Sequence, residues 1–132
     1  MFVVRPLQDK TLQESLANLT GAEYHPYSLA YMAADLKEDN ESIDEYIGLC
    51  QFVMQGEAEI LSLSCTEDRY EDEAVIVMLR AVMSFLEKCG VKYCWFSMES
   101  VDERLAAKSG FELKDDRYII DLEAFYAGKC CH

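Results

Sequence analysis

Apolar positions along the chain recur with two periods, near two and between three and four, and the switches between them mark out the elements. Phe2 to Arg5 is short, apolar and β-branched, which predicts a strand ended at Pro6. Leu12, Leu16 and Leu19 return at helical spacing, with Asp9 near the start and Gly21 just past the end, so one amphipathic helix is predicted there. In Tyr27 to Asp35, Tyr27, Leu29 and Tyr31 alternate with Ala30 and Met32 as a strand requires. The acidic stretch Leu36 to Glu45 leads to two further strands, Tyr46 to Met54 and Ala58 to Cys65, around the hairpin loop Gln55-Gly56-Glu57.

The longest periodic run is Glu73 to Lys88. Val75, Met78, Leu79, Val82, Phe85 and Leu86 form a stripe widened by Ile76 and Met83, Arg80, Ser84 and Glu87 form a narrow polar face, and Gly90 marks the stop. Val91 to Met98 is apolar on both faces and reads as a central strand. Strand, helix and buried strand in series make a βαβ step with parallel strands. Asp102 to Lys108 is a short helix ended by Gly110, and Phe111 to Lys114, Asp115-Asp116 and Arg117 to Tyr126 form a closing hairpin. The predicted order is β-α-β-β-β-α-β-α-β-β, an α/β fold with a mixed, largely antiparallel sheet. With no repeat or linker, residues 1–132 are expected to form a single domain. Neighbouring parallel strands part at the βαβ step, and ligands bind in such crevices near strand C-termini. Leu63, Ser64 and Cys65, residues 66–73, and Ser97, Met98 and Glu99 would line it.

Charge narrows the partners. The 25 acidic and 12 basic side chains leave a formal charge of −13 over 132 residues. A nucleic-acid duplex or an anionic membrane requires a basic face, so neither is an expected partner, whereas cationic molecules such as amines are attracted. No apolar run reaches the roughly 18 residues of a membrane span and the N-terminus has no leader pattern, so a cytoplasmic protein is expected. Cys50, Cys65, Cys89 and Cys94 lack zinc-site spacing and read as small hydrophobes. Cys130-Cys131-His132 reads as a fraying end and His25 as a turn residue, and no metal site is expected. Tyr24, Tyr27, Tyr31, Trp95 and Phe96 divide between core packing and cation–π contact with an amine.

The order of elements, the run Ala58-Glu59-Ile60-Leu61-Ser62-Leu63-Ser64-Cys65, the long helix after Arg69, and Leu105-Ala106-Ala107-Lys108-Ser109-Gly110-Phe111 together resemble the GNAT superfamily of N-acetyltransferases over nearly the whole chain, with one helix fewer between the first two strands. The resemblance implies acetyl transfer from acetyl-CoA to a primary amine, on a small molecule or a protein. Leu63, Ser64 and Cys65 would pair the pantetheine by backbone bonds. The family's Gln/Arg-x-x-Gly-x-Gly/Ala loop, which holds the pyrophosphate at a helix N-terminus, would fall on Arg69, Tyr70, Glu71, Asp72, Glu73 and Ala74. Glu59 would be the base for the amine, with a solvated hairpin residue as its plainer reading. Direct transfer needs no nucleophile, so Cys65 would pack.

Two positions depart from the family pattern. Asp72 stands where the first glycine belongs, and residues 67–73 carry five acids and one base, a local charge of −4 beside an anionic ligand. A carboxylate there can cap the helix through the N–H groups a phosphate would use. Ala106 stands where many members place the tyrosine that protonates the leaving thiolate, which leaves Tyr93, Tyr118 or water as donors. A second reading follows, a non-catalytic binding or assembly module that has lost acetyl-CoA. Edge strands of such a sheet also permit a homodimer.

Overall fold

The computed structural model describes residues 1–66, 72–97 and 103–130. Its strands are β1 (Phe2–Leu7), β2 (Leu29–Leu36), β3 (Ile43–Gln55), β4 (Glu57–Cys65), β5 (Tyr93–Ser97), β6 (Glu112–Lys114) and β7 (Arg117–Asp121). Its helices are α1 (Lys10–Thr20), α2 (Asp72–Lys88), α3 (Glu103–Lys108) and α4 (Leu122–Cys130). All the strands join one sheet in the order β1-β2-β3-β4-β5-β7-β6, in which only β4 and β5 pair in parallel. The mixed α/β architecture matches the sequence expectation.

Local chemistry sets the helix limits. Asp9 accepts from the N–H groups of Thr11 at 2.9 Å and Leu12 at 3.1 Å, and Gly21 closes α1 at φ 76°. Several boundaries differ from those predicted: β3 begins at Ile43, inside the stretch predicted as a connection, and β5 at Tyr93 rather than Val91. Pro6 sits inside β1 because that strand is an edge, where a missing N–H costs no ladder bond. Tyr27 lies in a turn and is 98 % exposed, so β2 starts at Leu29. The strand predicted over Arg117 to Tyr126 stops at Asp121, whose carboxylate accepts from the Ala124 N–H at 3.0 Å and starts α4.

The sheet has an apolar layer on each face. On one, Val75, Met78, Leu79, Val82, Met83 and Leu86 of α2 pack against Phe52, Ile60, Leu63, Cys94 and Phe96, and α3 and α4 add Leu105 and Leu122. On the other, Leu16 and Ala17 of α1 cover Ala30, Met32, Ala34 and Leu49. Because α1 lies over the half of the sheet formed by β1 to β4, the same face of β5, β7 and β6 carries no helix among the described residues. Tyr93, Trp95, Arg117 and Ile119 stand half-buried on that open half-face.

Candidate functional site

The site begins with one extra residue in β4. Gln51 of β3 pairs with Ser62 and the next residue, Phe52, pairs with Ile60, so Leu61 is a β-bulge. A bulge shifts the alternation by one, which is why Ile60 and Leu63, three apart, enter the same core. It also bends the strand. Pairing of β4 with β5 stops at Ala58↔Cys94 and Glu59↔Trp95, immediately before the bulge. Beyond it the strands part, and the β5-facing edge of Ser62 to Cys65 has no strand partner among the described residues. Such an edge offers alternating N–H and C=O groups to an extended ligand.

The other side of this segment is fixed by a buried polar network that the sequence reading passed over. Gln51 is completely buried with both ends of its amide satisfied. Its Nε2 donates to the Glu23 carbonyl and to Ser62 Oγ, each at 2.8 Å, and its Oε1 accepts from the His25 N–H and Gln13 Nε2, each at 2.9 Å. Gln13, also fully buried, reaches Ser28 Oγ at 2.9 Å. One residue past Leu63, Ser64 Oγ and Thr20 Oγ1 lie 2.7 Å apart. Residues 21–28 and the end of α1 are thereby tied to β4 directly after its bulge. A glutamine between Cys50 and Phe52 in an otherwise apolar run was the available signal.

At the C-terminal end of β4 a cleft of about 520 Å3 opens between Thr20, Gly21, Tyr46, Cys65 and Thr66. Thr66 Oγ1 is buried there without a hydrogen-bond partner. Burial pushes the Cys65 thiol up to about 11, so at neutral pH it is protonated and unsuited to nucleophilic attack. Leu63 and Cys65 point into the α2 core and Ser64 to the α1 side, leaving their backbone groups along the open edge of β4. Glu59 is half-buried on the open half-face beside Trp95, at the last rung before the strands part.

The loop predicted to hold a pyrophosphate falls mostly outside the described residues. Arg69, Tyr70 and Glu71 lie there, as does the Asp72 side chain, and so do Met98 and Glu99 on the far side of the crevice. Asp72 is the first residue of α2, Glu73 is exposed, and Ala74 is buried in the core cluster. Ala106 is fully buried on α3 beside Phe111. Of the remaining tyrosines, Tyr93 sits before the point of parting, whereas Tyr118 pairs with Phe96, one rung beyond it. The Cys131-His132 end is undescribed, and no described His, Cys, Asp or Glu cluster is placed to hold a metal. No described helix is long and apolar enough to cross a membrane.

No protein-family model and no curated protein sequence matches the chain. Solved structures do. It is similar to an IAA acetyltransferase from Bacillus cereus ATCC 14579, at TM-score 0.69 and 18 % identity over 87 % of this chain and 79 % of that one. It is also similar to mutant forms of a spermidine/spermine N-acetyltransferase from Vibrio cholerae, at TM-score 0.70 and 10 % identity over 97 % and 99 % of the two chains. A chain of the NatC complex bound to Gag peptide and CoA aligns at TM-score 0.67 and 13 % identity, over 91 % and 98 %. With its mixed seven-stranded sheet, parted at β4 and β5, the chain has the fold of the GNAT superfamily of N-acetyltransferases.

Proposed function

We propose that this protein transfers an acetyl group from acetyl-CoA to a primary amine, borne by a small molecule or by a protein. The observation that carries this reading is the β4 edge from Ser62 to Cys65, without a strand partner among the described residues and opened by the Leu61 bulge two residues after Glu59. That edge suits an extended pantetheine, and the start of α2 six residues after Thr66 supports a pyrophosphate held by helix N–H groups. Acetyl-CoA supplies an activated acyl carbon on a thiolate leaving group. Glu59, reached from the open half-face, takes the proton as the amine nitrogen bonds to that carbon. The carbon–sulfur bond breaks, and Tyr118 returns a proton to sulfur. In this reading residues 69–74 hold the pyrophosphate, and the like charge of Asp72 sets the affinity.

A non-catalytic module is the second reading, favoured by Ala106, fully buried where the family pattern has a tyrosine, and by Asp72 at the first position of α2. Calorimetric titration with acetyl-CoA separates the two. The enzyme reading expects binding by the native chain, tightened about five- to tenfold in Asp72→Gly, because removing one like charge near the surface is worth about 1 kcal/mol or slightly more. Absence of binding by both proteins sinks it. Glu59→Gln is expected to lower kcat by about 100-fold or more while leaving acetyl-CoA affinity unchanged, as loss of a base does; an unchanged kcat removes Glu59 from that role.

A further inference from the structure

The open half-face already holds two cations, both supplied by the chain itself. The Arg117 guanidinium lies 4.7 Å from the centroid of the Trp95 ring, and Lys92 Nζ lies 5.3 Å from that of Tyr93. Trp95 and Tyr93 alternate along β5 on the face that α1 leaves uncovered, and Glu59 stands directly beside Trp95 in the register. Arg117 is further drawn across the ring toward Glu57, with 4.0 Å between Nη1 and Oε2. Together these residues make an aromatic floor with carboxylates along one side.

We propose that Trp95, Glu57 and Glu59 form a binding site for an alkyldiammonium ligand, and that Arg117 occupies this site as a displaceable surrogate. Among the described residues, the contacts that hold Arg117 are weak. Its side chain is 36 % exposed and that of Glu57 is 50 % exposed, so their ion pair is the weak, screened kind. A cation–π contact at an exposed ring is also weak. A ligand with two charges meets Glu57 and the ring at once, which a single guanidinium on a tethered strand end does only by stretching back from β7. The site's role as the acceptor subsite rests on the acetyl-transfer reading, since it places one ammonium beside Glu59; the binding itself does not.

Trp95 is the sole tryptophan, so its emission reports on its own ring. The test titrates the protein, without acetyl-CoA, with 1,4-diaminobutane and in parallel with 1,4-butanediol at matched ionic strength. The diamine is expected to change Trp95 emission saturably and the diol is not. In Arg117→Ala the vacated ring is expected to bind the diamine about two- to fivefold more tightly, the worth of one exposed cation–π pair. In Glu57→Gln, a milder exchange on an exposed side chain, affinity is expected to fall. Emission that ignores the diamine, or responds equally to the diol, overturns the proposal, as does an Arg117→Ala affinity no higher than that of the native chain. Acetyl transfer without a diamine response would discard this site and keep the enzyme reading. A diamine response without acetyl-CoA binding would do the reverse.

Discussion

At the residue scale, the side chain that organises the site is one that performs no chemistry. Gln51 joins α1, residues 23–25 and β4 through four hydrogen bonds from a fully buried amide. Gln51→Leu keeps the volume and strips all four partners, each a polar group left wholly or partly without water. Unsatisfied groups cost about 1–3 kcal/mol when buried, and two of these partners lie on a part-buried segment, so about 2–4 kcal/mol of stability should be lost. Urea unfolding followed by circular dichroism measures it; a loss under about 0.5 kcal/mol would mean that water replaces the network. Gly110 shows the opposite kind of residue, one whose importance is legible. Its φ of 98° is strained for any other residue, a Cβ there would press on Phe125 at 3.0 Å and Ile120 at 3.1 Å, and the next residue, Phe111, lies against Phe96 at 4.8 Å between ring centroids.

At the element scale, turns and caps explain both what the sequence revealed and what it hid. The helices were legible where a stripe and a cap coincided, as with Asp9, Gly21 and α1. The core strands were legible from alternation. The bulge left a signal that went unread, since Glu59-Ile60-Leu61-Ser62-Leu63 breaks its alternation at the apolar pair Ile60-Leu61, and the partner strand shows that Leu61 is the extra residue. Strict alternation would have put Glu59 and Leu63 on one face, whereas the bulge sends Leu63 into the core and leaves Glu59 on the open side. Helix α4 was hidden because Leu122 to Tyr126 has no clear stripe and its signal was Asp121 alone. The acidic connection between β2 and β3 also has a local cause. Asp39 accepts from the Glu41 N–H, the Ser42 hydroxyl and the Ser42 N–H, which hold its carboxyl at about 2, below its ordinary 3.8. A depressed carboxylate stabilises the fold fully above its unfolded value and loses that effect as pH falls through the folded one. Asp39→Ala should therefore be less stable than the native chain at neutral pH, by urea unfolding, and the difference should shrink as pH falls from about 4 to about 2; equal stability of the two proteins at neutral pH would show that the turn adds nothing.

At the scale of the whole molecule, the charge of −13 acts on the two proposed ligands with opposite sign. A compact chain of this length has a radius of gyration of about 14 Å, while the Debye length is about 30 Å at 10 mM salt and about 8 Å at 150 mM. At low salt every carboxylate therefore acts on a ligand anywhere on the surface, and at physiological salt only neighbours do. In the acetyl-transfer proposal acetyl-CoA, multiply anionic, would approach against that field and against the five acids of residues 67–73. An alkyldiammonium on Trp95 approaches with it. Raising monovalent salt from 10 to 150 mM should thus tighten acetyl-CoA and loosen 1,4-diaminobutane, by calorimetry and Trp95 emission respectively. If acetyl-CoA instead weakens with salt, local basic groups at its site outweigh the acids, and the like-charge account of Asp72 fails. If the diamine is indifferent to salt, its contact with the ring is apolar, and the carboxylates Glu57 and Glu59 have no part in holding it.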